Sequence, residues 1–586
     1  MGEDQEVSLT GLDGGLEMKL PSLFREVQLR EGSKFFYRYV LSTFLFGLAL
    51  AIFLSGYLIS TYGVNLLTSV VVLVLFIALP FFSVSAILLV LEFRRMRINQ
   101  NINDNIHTFV TYLSALATSN VSTKDFFGKV AENPNYGVIS EEMRRLYNLA
   151  VHWGLGFAEA CKVVARHTPN KIFSKLLMRM GHAIEFGESM EHFTKRLAAE
   201  VMNDYKIEYE KGLYNLDILK EIFTSLLVVA SFFSVFVLLI PFFTGISPMF
   251  FTVIIVLVLV LLDIGMYILV SSVLPPDRLE FRHKYFENEH KKDIRRTFYF
   301  CFFASMLLFI MLSYSDFSSI PIRFTLSLVP FFLVGKLSES YEEEIREMES
   351  IFPSFIKTLG TFTGVRAGAV EPVLKSMKTH NFGKLTPLLK RLYKRLIVTK
   401  DAVYSWLHFG VESGSDIVFR YSNIFIETFY MGGDPIKAGE LIPSQITILV
   451  NLRKKRIESA RNMRNMIYGM FLGLVSSVFI SIFISAVLLV MLQGIKANEL
   501  IAMVGIYVPE MIDLRSSLET IYMSSVFHAL MFSLMIKKAD GGVTYGALYH
   551  FVILVIILAI AYFASRMLMI FAVSNLLGPH AVELLI

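Results

Sequence analysis

Hydrophobic and polar positions are organised on two length scales along this chain. On the long scale, apolar runs occupy 37–60, 66–91, 222–244, 249–274, 297–314, 320–337, 466–492, 520–536 and 547–572. A helix needs about 20 apolar residues to cross roughly 30 Å of hydrocarbon, so each run is a predicted span. The fifth, sixth and eighth are short or interrupted, the sixth by Arg323 and Pro330. Two polar blocks, 92–221 and 338–465, separate the runs. Inside the blocks apolar residues recur every three or four positions: Phe109, Val110, Tyr112, Leu113, Leu116 and Ala117 in one, Phe355, Ile356, Leu359 and Phe362 in the other. That spacing predicts amphipathic helices. Further helical stretches are predicted at 141–151, 157–165 and 172–180, and at 388–397, 403–409 and 417–426, with glycines and Pro134 as punctuation. No alternating strand pattern or hairpin turn appears. The predicted fold class is all-α: a polytopic membrane protein with about nine transmembrane helices and two repeated cytoplasmic helical bundles.

The repeat rests on one offset. Arg391-Leu392-Tyr393 recurs 246 residues earlier as Arg145-Leu146-Tyr147. Without gaps, that offset sets Phe109 on Phe355, Leu113 on Leu359, Lys129 on Lys375, Ile172-Phe173 on Val418-Phe419 and Gly187-Glu188 on Gly433-Asp434. Two spans precede each block and two follow, with one more at the end. Equal parity makes this a parallel repeat, unlike the inverted repeats common in transporters.

Basic residues collect on the cytoplasmic side of span ends. With the N-terminus inside, the inner segments hold Arg94, Arg95, Arg97, Arg278, Arg282, Lys284, Lys291, Lys292, Arg295, Arg296, the run Arg453-Lys454-Lys455-Arg456, Arg461, Arg464, Lys537 and Lys538. The outer turns 61–65, 245–248 and 315–319 have no Lys or Arg, and 493–517 has only Lys496 and Arg515. The expected order is a cytoplasmic tail 1–36, spans 37–91, a cytoplasmic bundle 92–221, spans 222–274, a charged linker 275–296, spans 297–337, a second bundle 338–465, and spans in 466–586 around the outer loop 493–517. The C-terminus is then outside.

Composition agrees with a membrane protein carrying polar domains: 54% of residues are hydrophobic, 18% are charged, and Phe alone numbers 52. Ordinary soluble domains carry about 25% charge. A net charge of +5 over 586 residues gives no argument for nucleic acid. The two cysteines, Cys161 and Cys301, are too few for a disulfide framework or a zinc site. Gly383-Lys384 lacks the rest of a phosphate-binding loop, and no GxSxG, HExxH or CxxC occurs. No enzyme, cofactor or metal is expected.

Several residues remain as candidates for contact. Asp263 lies in mid-span, where an ionised carboxylate is costly, and His528 of the eighth span is its possible partner. Gly469 and Gly473 form a GxxxG for close helix packing. Arg145, Tyr147, Arg391 and Tyr393 sit beside the apolar faces of their helices, where each arginine can reach an intradomain carboxylate or a partner's. Gly187-Glu188 and Gly433-Asp434 mark a recurring turn whose acids can cap the next helix or meet a partner. The acidic run 339–349 reads as a solvated face, and Arg453, Lys454, Lys455 and Arg456 as solvated or facing anionic lipid.

Two helical bundles in register, each flanked by spans, resemble the membrane platform proteins of type IV pilus and type II secretion machines. The repeated bundle looks like their F domain. The words Phe352-Pro353-Ser354-Phe355-Ile356-Lys357-Thr358-Leu359-Gly360 and Gly432-Gly433-Asp434-Pro435 are most similar to the archaeal branch, which includes the archaellum platform. The likeness covers 37–575 and is stronger at 350–465 than in the first copy, which lacks equivalents of Pro353 and Gly360. It implies a scaffold that docks a cytoplasmic hexameric secretion ATPase and receives pilin or archaellin subunits, with membrane lipid and a second copy of the chain as further partners. The docking residues it would then use are Arg391, Tyr393, Gly433, Asp434, Arg145, Tyr147, Gly187, Glu188 and the run 453–456. A transporter or channel is the alternative; it would need more midplane polar residues than Asp263. A signalling receptor would need an outer domain larger than 493–517.

Overall fold

The computed structural model describes residue 48 and residues 99–119, 121–244, 248–275, 277–281, 288–314, 320–365, 370–377, 379–494 and 511–577. Apart from residue 48, the runs 37–60 and 66–91 lie outside the described residues, as does most of the loop 493–517. The described residues are helical, without a strand beyond one isolated bridge between Glu280 and Ser415. In chain order the helices are α1 (99–116), α2 (Thr123–Glu132), α3 (Val138–Val151), α4 (Phe157–His167), α5 (Lys171–Glu185), α6 (Met190–Leu239), α7 (Pro248–Val273), α8 (Glu289–Ser313) and α9 (Ile320–Leu328). There follow α10 (Phe331–Val365), α11 (Val370–Met377), α12 (Leu385–Thr399), α13 (Ala402–Ser413), α14 (Asp416–Tyr430), α15 (Pro435–Gly494), α16 (Met511–Asp540) and α17 (Ala547–Leu577).

Seven helical segments among the described residues are long and apolar enough to cross a membrane. They coincide with the third to ninth predicted runs. Of these, α15 is 60 residues long, about 90 Å at 1.5 Å per residue. It carries a charged half and an apolar half without a break, and α6 does the same over 50 residues.

Side-chain caps explain where the shorter helices begin. Asn170 accepts from the Phe173 amide, Asp401 from Tyr404 and Ser415 from Val418, each satisfying an amide that the first turn leaves open. Asp434 accepts from Ile436 and Lys437 and so caps α15.

The described residues fall into two compact units, one holding Phe127–Gly187 with those up to Ile106, the other those of His107–Phe126 and from Glu188 onward. In the first, α3, α4 and α5 bury Ile139, Met143, Leu146, Cys161, Phe173, Leu177 and Met180. The second contains the bundle of the second copy, built round Phe355, whose ring lies 5.7 Å from Phe382, 6.1 Å from Phe409 and 6.5 Å from Trp406. It also contains the apolar core of the membrane helices, where Phe223 and Phe471 both pack edge-on against Phe532. Gly360 of α10 faces Gly439 of α15 so closely that a Cβ on Gly360 would lie 2.7 Å from the Gly439 Cα.

The two copies correspond helix by helix, but not at one offset. Buried Ile139, Met143 and Leu146 match buried Leu385, Leu389 and Leu392 at 246. Phe126 and Phe127 match Val373 and Leu374 at 247. From α4 on the offset is 245: Cys161 takes the place of Trp406, Phe173 of Val418 and Met180 of Phe425. The gapless register of 246 therefore fails at α2 and again from α4 onward. Phe173 belongs with Val418, and the positive-φ glycine of the turn is Gly187 in one copy and Gly432 in the other. Loops absorb single-residue changes in length, whereas a buried stripe cannot slip without exposing its apolar residues.

Candidate functional site

The densest chemistry in the second unit is a buried charge network joining α10, α15, α16 and the segment after α7. Arg453 of α15 donates from Nε to both Asp277 oxygens at 2.9 Å and from Nη2 to Oδ1 at 2.6 Å. Its Nη1 donates to Glu349 of α10 at 2.5 Å, and Nη2 also to the Arg278 carbonyl at 2.5 Å. Ser415 donates to the other Glu349 oxygen at 2.5 Å, and Tyr209 of α6 to Asp277 at 3.1 Å. One turn later Arg456 donates to the carbonyls of Ala539, Lys538 and Pro275 at 2.8, 2.9 and 3.0 Å. The first two are free C-terminal carbonyls of α16, acceptors that a helix end leaves without partners.

A second cluster adjoins it. Lys537 of α16 donates to Glu342 at 2.6 Å and to Asp540 at 3.0 Å. Arg346 donates to Asp540 at 2.8 Å, and the Val543 amide to Glu342 at 2.8 Å. Four basic groups (Arg346, Arg453, Arg456, Lys537) thus face four acidic ones (Asp277, Glu342, Glu349, Asp540), so their formal charges cancel. Burial alone would raise the Asp277 carboxyl, but the Arg453 guanidinium, with Arg456 and the Tyr209 hydroxyl, more than offsets it and holds the group below the usual carboxylate range. Nearby, His107 stacks on Tyr205 at 4.2 Å. Burial, with Arg420 and Arg453 adding to it, pushes its imidazole down to about 3.

The run 453–456 is accordingly split. Arg453 and Arg456 are only 8% and 4% exposed, in place of the solvated or lipid-facing position expected of them. Lys454 and Lys455 are exposed, and Lys455 pairs with Glu210 at 2.6 Å. The acidic run divides in the same way, since Glu342 and Glu349 are buried. The signal lay in the spacing. Glu342 and Glu349 share the stripe of Ile345, Phe352 and Ile356, and Arg453 and Arg456 share that of Leu449, Leu452, Ala460 and Met463. Asp277, in a short connection, carried no such signal.

The other candidates are dispersed. Arg391 donates to Glu412 at 2.9 Å, and Arg395 pairs with the same carboxylate. Tyr393 lines a groove of about 740 Å³ with Thr379, Lys390, Lys394, Ile397 and Val398. In the first unit Arg145 pairs with Glu142 at 3.1 Å, and the Tyr147 ring lies over Gly128. Gly187 adopts φ +69°, Glu188 pairs with Arg196 at 2.5 Å, and Gly433 packs on Thr428. Within the membrane helices, Asp263 and His528 meet at 2.5 Å, both buried, with α7 against α16. Gly469 and Gly473 have no atom within 4 Å of an added Cβ, so nothing described in this chain packs on them.

Comparison with known proteins adds to this geometry. Residues 109–238 match the family described as Type II secretion system (T2SS), protein F. That match falls on the first copy, although the wording of the sequence had favoured the second. The chain is 29% identical over 491 residues to "Flagella accessory protein J" of Methanocaldococcus jannaschii, covering 81% of this chain and 86% of that protein. It is 25% identical over 482 residues to "Flagella accessory protein J" of Methanococcus voltae, covering 80% and 85%. No solved structure matches it.

Proposed function

We propose that this chain, which belongs to the family of F-domain membrane proteins that includes the flagella accessory J proteins, is the membrane platform of an archaellum or related type IV pilus-like machine. In this reading the bundles are cytoplasmic, they dock a secretion ATPase, and the membrane helices receive filament subunits and pass them on. The observation that carries it is the joint built round Arg453. Helix α15 runs from the second bundle into its apolar half without a break, and at the changeover its arginines are clamped to α10, to the end of α16 and to the segment after α7. A load applied to the bundle is then carried into several membrane helices at once, because buried, mutually paired charges resist separation. Scaffolding needs such stiffness and no catalytic group.

The test is co-purification. The full chain, solubilised in mild detergent from cells that make filaments, is expected to retain a secretion-type ATPase. A chain that never retains one under conditions where its own fold is intact overturns the motor-docking part of the reading.

A further inference from the structure

One exposed face of the second bundle has a chemistry that the fold does not use. Helix α12 buries Leu385, Leu388, Leu389, Leu392 and Leu396 along one stripe. Between 384 and 400 the chain carries Lys384, Lys390, Arg391, Lys394, Arg395 and Lys400 without a single acid. Arg391 and Arg395 share Glu412, and Lys384 lies near Glu344. Lys390 and Lys394 meet no carboxylate among the described residues. They flank a groove whose other walls are Tyr393, Thr379, Ile397 and Val398. Ile397 and Val398 are 51% and 76% exposed.

The first copy has no such face. Its α3 offers Glu141 and Glu142 against Arg144 and Arg145, with Asn148 and Leu149 where α12 has Lys394 and Arg395.

We propose that this groove is the docking site for an acidic amphipathic segment of the motor ATPase, a helix whose apolar stripe lies on Ile397, Val398 and Tyr393 while its carboxylates reach Lys390 and Lys394. Lysines that meet no carboxylate among the described residues, on the rim of an apolar floor, are complementary in charge to a helix with flanking acids. The chemistry stands on the groove itself; only the partner's identity rests on the platform reading.

Binding of the purified ATPase to the full chain in detergent tests it, together with binding of a synthetic helical peptide bearing a leucine stripe flanked by glutamates. Lys390→Glu with Lys394→Glu is expected to weaken both about tenfold, the order of 1.4 kcal/mol for two rim charges. Lys390→Arg with Lys394→Arg is expected to keep both, and Lys195→Glu, on an exposed lysine of α6, to leave both unchanged. Val398→Ser is expected to weaken binding while keeping its salt dependence. Should the double reversal bind ATPase and peptide within twofold of the parent, the proposal is wrong. It is equally wrong if the reversal leaves those two unchanged and instead abolishes adsorption to vesicles of anionic lipid. If the parent binds the peptide through Lys390 and Lys394 but never the ATPase, the groove stands and the platform reading fails.

Discussion

Replacing Arg453 by methionine removes the cation that Asp277 and Glu349 share inside the protein. The guanidinium makes hydrogen bonds to both carboxylates and to the Arg278 carbonyl. Its own burial is nearly complete. Deleting one partner of a buried ion pair strands the other, at about 3–5 kcal/mol, whereas replacing the whole group by apolar or neutral isosteres is often near neutral. Arg453→Met should therefore lower the thermal unfolding midpoint in detergent by several degrees. Arg453→Met with Asp277→Asn and Glu349→Gln should recover most of that loss. At Asp277 the pH dependence has a definite sign, opposite to that at Glu349, which burial raises despite Arg453. In the parent the Asp277 pKa is depressed, so its contribution is present above the unfolded value near 3.8 and is lost as pH falls through the folded value. Without Arg453, burial, the largest influence on Asp277, is opposed only by Arg456 and the Tyr209 hydroxyl, and the sign should reverse: the penalty is full at neutral pH and shrinks on acidification. A single variant that melts with the parent, or a triple variant no better than the single, would refute the reasoning.

Further outcomes follow from other contacts. Gly360→Leu should separate α10 from α15, because a Cβ there already lies 2.5 Å from the Pro435 carbonyl; the cost is about 1–3 kcal/mol or more by the usual scale of overpacking, read in the same melts. His107, pushed by burial to about 3 from the ordinary imidazole value of 6.5, stays neutral in the fold while the unfolded chain takes up a proton below 6.5. Parent stability should thus fall between pH 6.5 and 4, and His107→Gln should remove part of that decline. Asp263 and His528 form a buried pair, so a double-mutant cycle with Asp263→Asn and His528→Gln should show a coupling of about 0.5–3 kcal/mol. Strict additivity of the two single effects would mean that the pair does not hold α7 to α16.

Much of this architecture was legible in the amino-acid pattern because it depends on periodicity. Seven runs chosen for length and apolarity became helices, and the repeat at 246 residues found the right helices in the right order. The gapless register failed where loops differ by one residue, since Cys161 and Trp406 give no sign of being partners until their burial is known. Charged runs misled for a different reason. Run composition averages over a helix circumference, while burial acts on one stripe, so Glu342, Glu349, Arg453 and Arg456 hid among solvated neighbours such as Glu343, Lys454 and Glu458. The pairing of Asp263 with His528 could be anticipated because a membrane span leaves a carboxylate few alternatives. Asp277 could not, because its role depends on where a short connection passes α15.

The central claim is that the chain is the platform on which a filament is assembled. Its most direct test is electron microscopy of cells in which this gene is deleted and then restored. The account predicts no filaments after deletion, recovery with the parent gene, and poor recovery with Arg453→Met even where the variant protein reaches the membrane. Normal filaments in the deletion strain would contradict it.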